Sequence, residues 1–222
     1  MSALAPRRFR LVVFDWDGTL ADSTVLIAGA IRSACAAVGR PVPSLSEARY
    51  VIGLGLSDAL AHVAPGLDAE EQRTLATHYR RHYLDGEPAI PLFDGAADLL
   101  AELDAAGYLL GVATGKTRAG LDRVIASNGL SGRFHATRCA DEGFPKPHPD
   151  MLLALMDRLA AAPHETLMIG DTTHDLDLAR NAGTHAVAVA YGAHDLDGLV
   201  SRAPLATVHS IAELRGWLVD HG

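Results

Sequence analysis

The stretch Leu11-Val12-Val13-Phe14-Asp15-Trp16-Asp17-Gly18-Thr19-Leu20 reads as a short apolar strand that empties into a polar turn. Four consecutive large apolar residues suit a strand buried on both faces, the usual environment inside a parallel sheet. Such strands recur. From Tyr108 onward, apolar runs at Tyr108–Ala113, Phe134–Thr137, Thr166–Ile169 and Ala186–Ala190 are separated by stretches with helical spacing. That alternation predicts an α/β fold, a Rossmann-like parallel sheet with helices on both faces. Ala206–His209 is expected as an edge strand, with a last helix over Ile211–Val219.

Between Ala21 and about Ile90 the rhythm changes. Val25–Val38, Ser57–Val63 and Ala69–Leu84 read as helices with no strand between them. Pro88 and Pro91 bracket the exit of this region, and Gly53-Leu54-Gly55 is a candidate turn inside it. The expected organisation is therefore a sheet-bearing core from residues 1–20 and 91–222, with an all-helical unit inserted over 21–90. Asp94 is expected to cap a helix over Gly95–Ala106.

Bulk composition narrows the function. The 222 residues are 49% hydrophobic and 21% charged, the profile of an ordinary globular chain. A formal net charge of -8 provides no overall basic field for nucleic acid or an anionic membrane. Cys35 and Cys139, without a CxxC pair, indicate neither a disulfide framework nor a zinc knuckle and fit a reducing cytoplasm. The apolar run Leu11–Phe14 is too short to span a membrane. No nucleic acid or membrane partner is expected, and the chain is expected to be a monomer or weak homodimer.

In open α/β sheets ligands bind beyond the carboxyl ends of the strands. Four short motifs fall there: Asp15-Trp16-Asp17-Gly18-Thr19, Thr114-Gly115-Lys116, Lys146-Pro147 and Gly170-Asp171-Thr172-Thr173-His174-Asp175. Singly each has an ordinary structural explanation, a turn, a cap or a solvated lysine. Together they gather aspartates that would repel one another and raise each other's pKa unless a cation neutralised them.

In these four motifs the sequence resembles the haloacid dehalogenase-like superfamily, in particular its phosphoglycolate-phosphatase-like branch with a helical cap. The resemblance implies that Asp15 is the nucleophile and that Asp17 is the acid–base, its backbone carbonyl also serving as a metal ligand. Thr114 and Gly115 would bind phosphate, and Lys146 would neutralise it and restrain Asp15. A magnesium ion would be held by Asp15, Asp17 and Asp171, with Asp175 either a water-mediated ligand or a support for Lys146. The substrate would be a small phosphorylated metabolite. Gly115-Lys116 departs from the Asn-Lys common after the threonine in this family.

The Arg49–Gly53 segment resembles the cap loop that faces substrate in this branch, so Arg49 is a candidate for a substrate carboxylate, with an ordinary surface arginine as the alternative. His78 and His82 have i,i+4 spacing but lack the glutamate of the HExxH motif, and are read as a polar helix face. Trp16 is expected to pack, since alternation points it away from its flanking aspartates. The family also offers sugar-phosphate mutases and dehalogenases; Asp17 and Asp171 count against the latter. A homologue reduced to binding or regulation is the further alternative.

Overall fold

The computed structural model describes residues 8–87 and 90–222, so Pro88 lies outside the described residues. Strands β1 (Leu11–Phe14), β2 (Leu109–Thr114), β3 (Ala136–Cys139), β4 (Thr166–Gly170), β5 (His185–Val189) and β6 (Thr207–Val208) form one sheet in the order β3-β2-β1-β4-β5-β6. Every pairing is parallel. Strand order reverses at β1, so the chain ends of β1 and β4 open side by side.

The alternation of β1 divides the core. Val12 and Phe14 pack on one face with Leu110, Val112, Leu167 and Ile169. Leu11 and Val13 pack on the other with Ala113, Met168, Leu152 and Leu155. Burial on both faces explains why these strands lack polar alternation.

The sheet's helices are α5 (Ala96–Ala105), α6 (Arg118–Ser127), α7 (Asp150–Leu159), α8 (Thr173–Ala182), α9 (Leu196–Val200) and α10 (Ile211–His221). Helix α5 departs from its expected start. Its N-cap is Gly95, at φ 82°, with no side-chain cap, so Asp94 does not fill that role. Left-handed backbone suits glycine and turns the chain into the helix without a side-chain acceptor. Strand β3 begins two residues later than expected, because Ala136 is the residue that registers with Gly111. Phe134 sits just before it, half-buried and edge-on to Trp16 at 6.3 Å between ring centroids. Trp16 itself lies in the core, as its position between the aspartates predicts.

Helices α1 (Thr24–Ala37), α2 (Leu45–Tyr50), α3 (Leu56–Val63) and α4 (Ala69–Gly86) occupy the stretch between β1 and α5. They have apolar clusters of their own: Ile27, Ile31, Val51, Ile52 and Tyr83 in one, and Ala34, Cys35, Leu60 and Leu75 in another. Helix α2 is an element the spacing does not predict. Six residues are too few for a periodic signal, and its start rests on a capping box between Ser44 and Glu47.

The chain enters and leaves this helical stretch at one place. The Phe93 N–H donates to the Leu20 carbonyl and the Asp22 N–H to the Pro91 carbonyl, so the outgoing and returning segments run beside each other. Among the described residues no helix is long and apolar enough to cross a membrane.

Candidate active site

The polar turn after β1 is compressed. Gly18 has φ 82°, and a Cβ there would meet the Asp171 Oδ2 at 2.2 Å, so glycine satisfies both the backbone and the space. This closeness lets Thr19 Oγ1 donate to Asp171 Oδ1 at 2.8 Å, while the Ala193 N–H donates to Asp171 Oδ2 at 2.7 Å. The first and fourth motifs are thus joined across the β1–β4 opening.

Lys146 is buried and bridges two carboxylates. Its Nζ lies 2.9 Å from Asp15 Oδ1 and 2.6 Å from Asp175 Oδ1. Burial works against the ammonium, but Asp15 and Asp175 outweigh it and hold its pKa above the usual lysine value. Asp175 is fully engaged, since Oδ2 accepts from the Thr172 N–H at 3.0 Å and the Thr172 hydroxyl at 2.7 Å. Its geometry is that of a support for Lys146.

Asp15 is only partly satisfied. Oδ1 accepts from the Trp16 N–H at 2.6 Å, whereas Oδ2 is buried without a hydrogen-bond partner among the described residues. Burial pushes the Asp15 carboxyl well up, Lys146 opposes this, and Asp175, Asp171 and Asp17 add to it. Burial likewise raises Asp171 to about 7, with Asp175 adding to the effect and the Ala193 N–H opposing it.

Asp15, Asp171 and Asp175 each bring one ligand oxygen within 4.8 Å of the others. An orphaned carboxylate oxygen beside further carboxylates, all withdrawn from water, is an arrangement that a hard divalent cation relieves. The donor set therefore fits such an ion. The Asp17 carboxylate points elsewhere: Oδ1 accepts from Ser23 Oγ at 2.8 Å and lies 3.1 Å from Lys116 Nζ.

Three comparisons bear on this geometry. The haloacid dehalogenase-like hydrolase family profile matches residues 12–189. The chain belongs to this family. It is 36% identical over 212 residues to "Probable phosphatase IndB" of Dickeya dadantii, covering 93% of this chain and 92% of that one. It is 33% identical over 210 residues to "Tyrosine-protein kinase PtkA" of Mycobacterium tuberculosis, covering 93% and 71%. The solved structure of a "predicted phosphoglycolate phosphatase" from Haemophilus somnus superposes with a TM-score of 0.82 at 25% identity, covering 95% of this chain and 98% of that one. The protein is a haloacid dehalogenase-like phosphoric monoester hydrolase.

In this hydrolase a cavity of about 230 Å³ opens from Asp15, Asp17 and Thr114 toward the helical stretch. Residues to which the sequence pattern assigns no role line it. Lys116 donates to the Tyr83 hydroxyl at 2.6 Å as well as facing Asp17, and Glu87 of the helical stretch pairs with Arg123 at 2.5 and 3.0 Å. Lys116 closes the second motif, but nothing in its spacing tells which neighbour it meets. Tyr83 and Glu87 carry no local signal.

Gly115 lies under the Gly53-Leu54 turn, where a Cβ would meet the Leu54 carbonyl oxygen at 2.4 Å. The departure from Asn at this position has a steric reason here, because any side chain would push that turn away. Arg49 is not brought to the cavity. Its Nε and Nη2 donate to the carbonyls of Ala193 and Gly192 at 3.1 and 2.5 Å, tying α2 to the loop after β5. His174 and His194 fasten the same helix end, each with Nε2 hydrogen-bonded to the Tyr50 carbonyl, at 2.8 and 2.9 Å. His174 thus has a structural role.

Proposed function

We propose that the enzyme hydrolyses small phosphate monoesters through a phosphoaspartyl intermediate on Asp15, with magnesium held by Asp15, the Asp17 backbone carbonyl and Asp171. The observation that carries this reading is that Asp15, which lines the cavity, pairs its Oδ1 with Lys146 while its buried Oδ2 has no hydrogen-bond partner among the described residues. One oxygen is restrained and the other is available to attack.

The ion would neutralise phosphate charge and lessen the repulsion between the incoming phosphate and Asp15. Lys146 would balance further negative charge at the same place, and the Thr114 hydroxyl would hold a phosphate oxygen. Asp15 attacks phosphorus and the ester P–O bond breaks. Asp17 delivers a proton to the leaving alkoxide. Asp17 then takes a proton from water as that water attacks the phosphoaspartate; the P–O bond to Asp15 breaks, and inorganic phosphate leaves with the carboxylate restored. Ser23 and Lys116 would aim Asp17 through its Oδ1. The helical stretch 21–90 would act as a cap over this chemistry.

Phosphoglycolate is a substrate candidate from the family resemblance and from the likeness to the Haemophilus somnus protein. The name of the mycobacterial relative supports a second reading, phosphoryl transfer to an acceptor other than water, which a mutase would share. Both readings are tested by following p-nitrophenyl phosphate with and without magnesium. Release of one inorganic phosphate per nitrophenol, lost in excess chelator and restored by magnesium, is expected. Turnover undiminished by chelator would remove the metal assignment, and phosphate recovered on an added acceptor would favour transfer.

The acid–base role has a sharper test. Asp17→Asn should form phosphoenzyme from p-nitrophenyl phosphate in a burst of about one product per site, then turn over slowly. Formation from an alkyl phosphate should be slow throughout, because the alkoxide needs the proton. Equal loss with both esters would move Asp17 to a structural role.

A further inference from the structure

The leaving-group side of the cavity differs from the reacting side, and we infer that the preferred substrates are phosphate monoesters of alcohols with an apolar, ring-bearing body. This rests on the hydrolase reading above and sets ring-bearing esters ahead of phosphoglycolate. Away from Asp15 the walls are Ile27, Ile31, Val51, Leu54, Leu56 and Ala59. Beside them Tyr79 and Tyr83 stack on each other, with ring centroids 5.8 Å apart and 14° between planes, and present an aromatic flank.

Several of the polar groups lining this volume are occupied with one another. Asp17 faces Lys116, Lys116 donates to the Tyr83 hydroxyl, and Glu87 accepts from Arg123 Nε and Nη2. A carboxylate or a set of hydroxyls brought against the walls would lose its water without gaining partners. A ring brought there gains from leaving water.

The cations that a hydroxy-acid substrate would call upon are poorly placed. Arg49 is spent on the carbonyls of Gly192 and Ala193. Arg80 lines the cavity from an exposed position, where a bound carboxylate would remain in competition with water. Lys116 is taken by Asp17 and Tyr83, and leans over the Tyr83 ring with its Nζ 4.8 Å from the centroid. The cavity therefore selects by apolar contact.

The test compares kcat/KM of the full chain, in excess magnesium, for 2-phenylethyl, ethyl and glycerol phosphates and for phosphoglycolate. Ethanol and 2-phenylethanol are similar in acidity, so the chemical step is matched and the difference reports the walls. The 2-phenylethyl ester should exceed the ethyl ester by about 10- to 100-fold, the effect of burying one ring, and should exceed phosphoglycolate. Equal values for the two alkyl esters, or faster turnover of phosphoglycolate or glycerol phosphate, would overturn the inference.

Leu56→Asp should lower the 2-phenylethyl ester more than the ethyl ester, with Leu56→Ala as the variant that adds no charge. Equal losses in both variants would also overturn it. Arg80→Ala should not reduce phosphoglycolate turnover selectively, and a selective loss would overturn the inference by placing acid recognition at the cavity mouth. Failure to release phosphate from any of these esters, p-nitrophenyl phosphate included, would instead defeat the hydrolase reading itself.

Discussion

The two sides of the cavity are built by opposite means. On the sheet side, Asp15, Lys146, Asp171 and Asp175 are all buried, crowded and charged, and each is held by short hydrogen bonds from neighbouring turns. On the helical side, the walls are aliphatic and aromatic side chains that would pass for core. The charged side is costly to fold and suited to any phosphate ester. The apolar side folds readily and suits only some leaving groups.

Removing a member of the charged side should break catalysis outright. Asp15→Asn should reduce turnover of every ester by ~10⁴-fold or more and abolish hydroxylamine-sensitive phosphoenzyme, because a neutral amide is a poor nucleophile. Phosphoenzyme persisting in this variant would place the attack on another residue.

The same crowding should be visible as a cost in stability. Burial raises the Asp171 carboxyl from 3.8 to about 7, so the folded chain keeps a proton that the unfolded chain loses near pH 4. Asp171 should therefore take a few kcal/mol from the stability of metal-free protein as pH rises from about 4 to about 7, against an opposite contribution from His174, His185 and His194, whose burial favours the neutral imidazole, and magnesium should offset the Asp171 loss at pH 8. Asp171→Asn should flatten that dependence and raise the melting temperature of the metal-free protein at pH 8, while removing activity. Equal pH dependences for the metal-free wild type and the Asp171→Asn variant would contradict the burial argument.

The smallest effect is expected where the two sides touch. Tyr83→Phe keeps the ring beside Lys116 but removes the hydroxyl that Lys116 donates to. With an unchanged melting temperature, kcat for alkyl esters should fall about five- to tenfold, the size of one hydrogen bond lost, and p-nitrophenyl phosphate should be affected less. Equal losses for both would mean that Tyr83 has no influence on the aim of Asp17.

The contrast also explains what is legible in the sequence. Asp15, Thr114 and Asp171 follow or close strands directly, so their shared location can be read from strand ends alone. The parallel sheet is legible for the same reason, since runs such as Leu11–Phe14 and Thr166–Ile169 leave little choice. Boundaries are less so: β3 starts where Ala136 finds its register, and α5 starts on a left-handed glycine. Specificity is the least legible part. Ile27, Ile31, Leu56 and Tyr83 recur at helical spacing as core residues do, and only the fold tells that they border a cavity. Arg49 shows the converse, a charged residue whose sequence neighbourhood suggests ligand binding and whose guanidinium fastens α2 to the loop after β5.

The paired segments at Leu20–Asp22 and Pro91–Phe93 bear on how such a molecule diversifies. A chain that departs and returns at adjoining points leaves the sheet's own strand order untouched, whatever lies between, and the entropy of joining those points changes only slowly with the length inserted. The intervening helices thus resemble an exchangeable module plugged into a two-pin socket. Helices placed there can be lengthened or exchanged without moving the aspartates and the lysine of the sheet beneath.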